Sequence, residues 1–329
     1  MPYLSIIIPC YNVADYLPTT LNSLSQLNNA EDCEFLFIND GSTDNTLAIL
    51  QDFSKRDSRA LVINQVNQGV SAARNAAIKI ASGEYLLCLD GDDFLHPDTI
   101  TIIQKHIQHY DALLAPCILV HSKTCNLQQL HIPNGIYSIE QLYTSCQIFP
   151  TAPMIVYRTA IIKDHQIYFN STIKSGEVYD FTISFFVYAT QIVVISQGFY
   201  YYVMRENSAT HQPNYHFDFS VIQLLEHISS LQTSWASTPS FIMTSLKIVL
   251  SFTYNKYMKL GITDKIAINT IQQVFCNAHF QHLLSNIPTK RLTLSNKIYF
   301  WYIRHMPIKI GYFIGAYIMK LFAQLKKKL

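Results

Sequence analysis

What this chain lacks narrows it first. None of its seven cysteines, at positions 10, 33, 88, 117, 125, 146 and 276, sits in a Cys-x-x-Cys pair, and their number is odd. This argues against a zinc knuckle and a disulfide framework, so a reducing compartment is expected. Charged residues make up only 14% against 49% hydrophobic, which is apolar for a soluble protein. No internal repeat or low-complexity linker interrupts the chain. The start, Met1 to Pro9, has no basic flank, and its apolar run is too short for a signal peptide. It reads as a buried first strand, and a cytoplasmic location is expected. After Asp264 there is no acidic residue, while ten basic ones follow; the preceding positions hold 14 basic against 22 acidic residues. The two ends face different partners.

What is present is strand and helix in alternation. Leu4 to Ile8 is a mostly apolar run closing in three β-branched isoleucines, the pattern of a strand covered on both faces, and Pro9 to Asn12 ends it. Asp15 to Leu27 carries apolar residues at 17, 21, 24 and 27, a helical stripe. Glu34 to Ile38 is a second strand; Ser42 or Thr43 can cap the helix that runs to about Phe53. Ala60 to Ile63 is a third strand, followed by a helix from Val70 to Ala81 with Gly83 at a C-cap position. Tyr85 to Leu89 is a fourth. This rhythm specifies a doubly wound α/β sheet. In such sheets, ligands bind along the edge formed by the carboxyl ends of the strands. Tyr11, Asp40, Asn67 and Asp90 to Asp93 occupy those loops.

The fourth strand ends in Asp90, Asp92 and Asp93, separated only by Gly91. Acids this close repel, so a cation should sit between them, and hard oxygen ligands suit Mg2+ or Mn2+. The combination points to a metal-bound phosphate. The alternative is a solvated acidic turn, since Asp and Gly are ordinary turn residues.

Four stretches together resemble the ordered motifs of family 2 glycosyltransferases: Ile7-Ile8-Pro9-Cys10-Tyr11-Asn12, Ile38 to Thr46, Asn67 to Asn75, and Leu89-Asp90-Gly91-Asp92-Asp93. The resemblance covers residues 3 to about 100 closely and runs more loosely to about 212. It implies a GT-A fold: a Rossmann-like mixed sheet flanked by helices, here with a helical C-terminal extension. It further implies inverting transfer of a sugar from a nucleotide-diphospho-sugar, assisted by Mn2+ or Mg2+. By the family pattern Pro9, Tyr11 and Asp40 hold the nucleobase, and Asn67 and Arg74 lie near the nucleotide. Asp90 and Asp92 meet ribose and metal, Asp92 being the direct ligand. For Tyr11 and Arg74 singly, packing or a surface ion pair is the competing reading.

Further on, a strand is expected within 111 to 121, broken by Pro116, and a helix from Ile155 to Lys163. Strands follow at Ile192 to Ile195 and Phe199 to Val203. Family members often carry Glu-Asp at the start of a helix here, one carboxylate being the general base. This sequence departs from the pattern: Val178 follows Glu177, and the next acid is Asp180. Residues three apart share a helix face, so both carboxylates can point to the crevice; by the resemblance Glu177 is the expected base and Asp180 the second candidate, a capping acid at a helix N-terminus being the other reading. His211, in a segment that loosely resembles the family's closing motif, is a weak candidate metal ligand beside Asp92 and Asp90.

Two domains are expected: 1–215, catalytic and nucleotide-sugar-binding, and 216–329, helical with a basic, apolar tail. Helical stripes run from Phe219 to Leu231 and from Phe241 to Leu260. A bilayer span needs about 20 apolar residues, and Lys309 and Lys320 leave only ten between them. A helix lying on anionic lipid fits better, a core helix with a solvated basic end being the alternative; nucleic acid is not expected. The acceptor is then a glycan or lipid-linked hydroxyl in surface polysaccharide synthesis at the inner face of the cell membrane. The missing Glu-Asp pair leaves a non-catalytic nucleotide-binding scaffold open. A nucleotidyltransferase would want a Gly-rich loop with a Lys near the first strand, and Pro9 to Asn12 supplies neither.

Overall fold

The computed structural model describes residues 1–121, 124–127, 133–145, 154–204, 220–257 and 272–287, with positions 297, 300 and 301. The chain divides into two compact units: Met1–Thr172 with Glu177–Ser208, and Ile173–Gly176 with Ala209–Leu329.

The first unit opens as three strand-helix pairs and a fourth strand. These are β1 (Leu4–Cys10), α1 (Leu17–Ser25), β2 (Cys33–Asp40), α2 (Thr46–Arg56), β3 (Ala60–Gln65), α3 (Val70–Ile80) and β4 (Tyr85–Cys88). The strands β1, β2, β3 and β4 are mutually parallel in the order β3-β2-β1-β4. From β1 the chain therefore winds outward to β3 and then returns to β4 on the other side. The reversal lies between β1 and β4, where open α/β sheets bind ligands. The apolar runs explain the placing: Ile6, Ile7, Ile8, Phe35, Phe37, Leu86 and Leu87 are fully buried, each such side chain contributing about 1.5–3 kcal/mol.

After β4 come β5 (Phe94–Leu95), α4 (Thr99–Ile107), β6 (Ala112–Leu114), β7 (Cys117–His121), β8 (Thr124–Leu127), β9 (Gly135–Tyr137) and α5 (Ile139–Ser145). Then follow β10 (Ile155–Arg158), α6 (Thr159–Asp164), α7 (Glu177–Phe186), β11 (Ile192–Val194) and β12 (Tyr200–Val203). The large sheet continues past β4 as β10-β6-β11-β9, and a small sheet runs β5-β12-β7-β8. Because β10 is antiparallel to β4 and β6, the large sheet is mixed, as the family resemblance implies.

Several local expectations are corrected. Ile155 to Arg158 is a strand, and the helix starts only at Thr159; the buried slot between β4 and β6 favours extended Ile155, Val156 and Tyr157 over a first helical turn. Pro9 lies inside β1, opposite Ile38. It is tolerated because β4 pairs only as far as Ile7, so no ladder donor is missed on that side. Gly83 is not a C-cap: α3 ends at Ile80 with Ala81 as its C-cap. Gly83 is glycine because a Cβ would sit 2.5 Å from the Ser5 backbone nitrogen. Neither Ser42 nor Thr43 caps α2; Asp44 instead accepts from the Thr46 and Ala14 amides, at 3.0 Å each. Pro116 parts β6 from β7, which enter different sheets.

The second unit includes helices Ser220–Ser230, Pro239–Tyr257 and Ala278–Ser285, around buried Leu224, Leu225, Phe241, Leu246 and Phe280. The Asn277 side chain caps the last by accepting from the His279 and Phe280 amides. Among the described residues no helix is long and apolar enough to cross a membrane. His211 and the tail beyond Trp301 lie outside the described residues.

Candidate active site

Four strand ends meet at one edge of the large sheet, and their loops are cross-linked. The Asn12 amide donates to Ser42 Oγ (3.1 Å) and the Val13 amide to Thr46 Oγ1 (3.0 Å), tying the loop after β1 to the one after β2. Asp40 ties β2 to the loop after β3: its Oδ1 accepts from Gln65 Nε2 (2.7 Å) and the Gln68 amide (2.9 Å), and its Oδ2 from the Gly69 amide (2.7 Å). Gly41, with φ +69°, stands where a Cβ would lie 2.6 Å from the Asn67 amide nitrogen. Only glycine allows both the left-handed backbone and that approach. Tyr11 projects from this edge half exposed, and Asn67 is exposed.

The three acids after β4 have three different environments. Asp93 is buried; its Oδ2 accepts from the Tyr200 hydroxyl (2.7 Å) and its Oδ1 from the Val203 amide (2.8 Å). Burial, and then the nearby Asp90 charge, push its carboxyl up to about 7. Asp93 thus fastens the turn to β12 rather than facing a ligand. Thr20 of α1 holds the same turn from the other side, donating to the Asp93 and Gly91 carbonyls. Asp90 is partly exposed and accepts from Arg74 Nη2 at 2.8 Å. The expected cation among the acids is, at Asp90, a guanidinium. Asp92 is half-buried beside it.

Arg74 joins the turn after β4 to the start of α7. It is buried, and its Nη1 lies 3.5 Å from Glu177 Oε1 at the start of α7. That is an ion-pair distance, long for a hydrogen bond, and Nε and Nη1 have no hydrogen-bond partner among the described residues. A guanidinium has five N–H donors, so Arg74 keeps unused donors in a buried place. Burial works against its charge, but Asp90 and Glu177 more than offset this and its pKa rises. For Glu177, burial dominates and raises the carboxyl, with Arg74 opposing. Asp180 is buried one turn further along α7.

The structure thus brings Pro9, Tyr11, Asp40, Asn67, Arg74, Asp90, Asp92 and Glu177 to one edge. It sets Asp180 deeper, and His211 falls outside the described residues. Two residues went unnoticed in the sequence: Tyr200, whose hydroxyl also accepts the Asp90 amide at 3.1 Å, and Phe169, which lies against Arg74. Tyr200 stands in a run of three tyrosines with no local signal, and Phe169 in a loop that matches no motif.

The donor chemistry admits a divalent ion. Mg2+ is commonly held by one or two carboxylates together with substrate phosphates, and Asp90 and Asp92 on either side of Gly91 supply that many. No group of three or more His, Cys, Asp or Glu able to hold a metal occurs among the described residues, so any further ligand has to come from a phosphate, water or a position outside them.

Comparison with known proteins places this arrangement. The family model described as "Glycosyl transferase family 2" matches residues 5–165. The poly(ribitol-phosphate) beta-N-acetylglucosaminyltransferase TarS of Staphylococcus aureus is 32% identical over 213 residues, 61% of this chain and 35% of that protein. A chondroitin synthase of Pasteurella multocida is 34% identical over 185 residues, 55% of this chain and 18% of that protein. The chain therefore spans well under two thirds of the length of either relative. The crystal structure of S. aureus TarS 1-349 superposes with a TM-score of 0.72 at 25% identity, covering 94% of this chain and 89% of that one. Its mixed sheet with flanking helices is the GT-A fold, and through residues 5–165 the chain belongs to glycosyl transferase family 2.

Proposed function

We propose that the chain transfers a sugar from a uridine diphosphate sugar to a hydroxyl of a surface-glycan acceptor, with inversion at the anomeric carbon. The observation that carries this is the Asp90–Arg74–Glu177 bridge, which holds a donor-side acid and a partly desolvated carboxylate across one cleft. The relatives suggest the substrate class: TarS acts on poly(ribitol phosphate), and its 1-349 fragment has been crystallised with UDP-GlcNAc.

The nucleobase stacks on the exposed Tyr11 ring beside Pro9, and Asn67 borders the ribose. Asp40 spends three acceptor directions on its own loops and keeps about one of its four for a ring N–H. The diphosphate lies over Asp90 and Asp92, which would hold Mn2+ or Mg2+. When bound, such an ion supplies Lewis-acid stabilisation of the leaving diphosphate. Glu177 takes the proton of the acceptor hydroxyl. The acceptor oxygen bonds to the anomeric carbon as the bond to the diphosphate breaks, and the bonding pair leaves with the nucleoside diphosphate. A raised carboxyl pKa suits a base working near neutral pH. Asp180, deeper in the helix, supports α7 and is the second candidate. His211 remains a candidate third ligand from the sequence. The basic, apolar tail would hold the protein on the anionic inner face of the membrane.

Val178, where the family often has an acid, favours a second reading, a nucleotide-binding scaffold. UDP release from UDP-GlcNAc separates the two, since water can replace the acceptor. An enzyme releases UDP, and Glu177→Gln and Asp92→Ala each lower that release strongly. No release by the wild type from any UDP-sugar, with UDP still bound, would leave the scaffold.

A further inference from the structure

We propose that Phe169 is a positioning residue for this reaction: its ring, anchored from α3, sets the Arg74 guanidinium and the start of α7 so that Glu177 faces Asp90. The proposal rests on the reading of Glu177 as base.

The contacts form a closed circuit. Asn75, the residue after Arg74, grips the Phe169 backbone from both sides: its Nδ2 donates to the Phe169 carbonyl and its Oδ1 accepts from the Phe169 amide, at 2.8 Å each. This fixes Phe169 to α3 one residue from the guanidinium. The buried ring has Arg74 Cζ 5.2 Å from its centroid, and the Phe181 ring stacks on it at 4.1 Å and 2°. Phe181 lies four residues after Glu177 on α7, on the same helix face. The helix turn leads back to Glu177, and Glu177 Oε1 returns to Arg74 at 3.5 Å.

This circuit supplies what the polar contacts alone do not. Arg74 makes one short bond to Asp90 and leaves Nε and Nη1 unbonded among the described residues, so a single hydrogen bond does not fix the guanidinium plane. A face-on aromatic ring does. The same ring sets how closely α7 approaches α3, and hence where the Glu177 carboxylate stands. Phe169 also lies beyond the residues that the family model covers, so it belongs to none of the four strand-end motifs.

The test measures UDP release from UDP-GlcNAc by the full chain, as kcat and KM, alongside UDP affinity by calorimetry. Phe169→Leu keeps the bulk and removes the ring; Phe169→Tyr keeps the ring. Displacing a base by about 1 Å costs up to about 100-fold, so Phe169→Leu should lower kcat about 10- to 100-fold. Donor KM and UDP affinity should stay within about twofold, and Phe169→Tyr should recover most of kcat. In a Glu177→Gln background Phe169→Leu should cost nothing further, because both changes act on one group. If Phe169→Leu does not fold, Phe181→Leu breaks the same circuit and is judged by the same readouts. An equal loss in both backgrounds, or a raised KM with kcat unchanged, would overturn the positioning role while leaving Glu177 as base. Wild-type release by Glu177→Gln would overturn the base itself, and the positioning role with it.

Discussion

Replacing Arg74 with methionine keeps most of the side-chain bulk and removes the cation between Asp90 and Glu177. Breaking a buried pair by deleting one partner costs about 3–5 kcal/mol. Here the Asp90 side chain is 31% exposed and that of Glu177 19%, so water recovers part of this and about 2–3 kcal/mol is expected. Loss of the guanidinium from the Phe169 ring adds about 0.5–2 kcal/mol. For a domain of this size that lowers Tm by roughly 5–20 °C. The more telling effect is on pH. Glu177 acts as a base only when ionised, so the rate rises with pH through its pKa. Burial raises that pKa and Arg74 opposes the rise. Removing Arg74 removes the opposing effect, and the acidic limb of UDP release must move to higher pH. Arg74→Lys, which keeps the charge, should move it less. The measurement is kcat against pH for the three proteins, at a temperature where all remain folded. Superimposable acidic limbs would refute the electrostatic role assigned to Arg74.

Three further outcomes are expected. Gly41→Ala forces a left-handed backbone at about 1–2 kcal/mol and drives a Cβ toward the Asn67 amide nitrogen. It should therefore lower Tm and weaken UDP binding together, as thermal melts and calorimetry will show. Tyr200→Phe leaves the buried Asp93 one donor short and the Asp90 amide without its acceptor; about 1–3 kcal/mol should be lost in chemical denaturation. Deleting residues 297–329 should release the protein from anionic vesicles in a sedimentation assay, and unchanged sedimentation would remove the membrane proposal.

The sheet was legible where a strand is buried on both faces. Ile6 to Ile8, Phe35 to Ile38 and Tyr85 to Leu89 are unbroken apolar runs, and such runs admit little else. Ile155 to Arg158 was not legible, because the short run Ile155-Val156-Tyr157-Arg158 leading into Thr-Ala-Ile-Ile fits a strand or a helix equally well. Sequence spacing also could not tell the three aspartates apart. Asp93 becomes structural only because Tyr200, 107 positions later, is delivered beside it by β12 pairing with β5. Gly83 looked like a helix terminator, as glycine often is, yet it answers to Ser5 on a neighbouring strand. Arg74 carried a motif signal; that its cation would lie between Asp90 and Glu177 depended on α7, a hundred residues away.

A crystal of the protein soaked with UDP-GlcNAc and Mn2+ would test the proposed chemistry most directly. An acceptor oxygen within about 3 Å of the base and about 3–3.5 Å of the anomeric carbon requires Glu177 to lie within about 6.5 Å of that carbon, on the side away from the diphosphate. Uracil against Tyr11, diphosphate over Asp90 and Asp92, and Glu177 at that separation is the expected result. A sugar bound with Glu177 on the diphosphate side, or well beyond that reach, would contradict it.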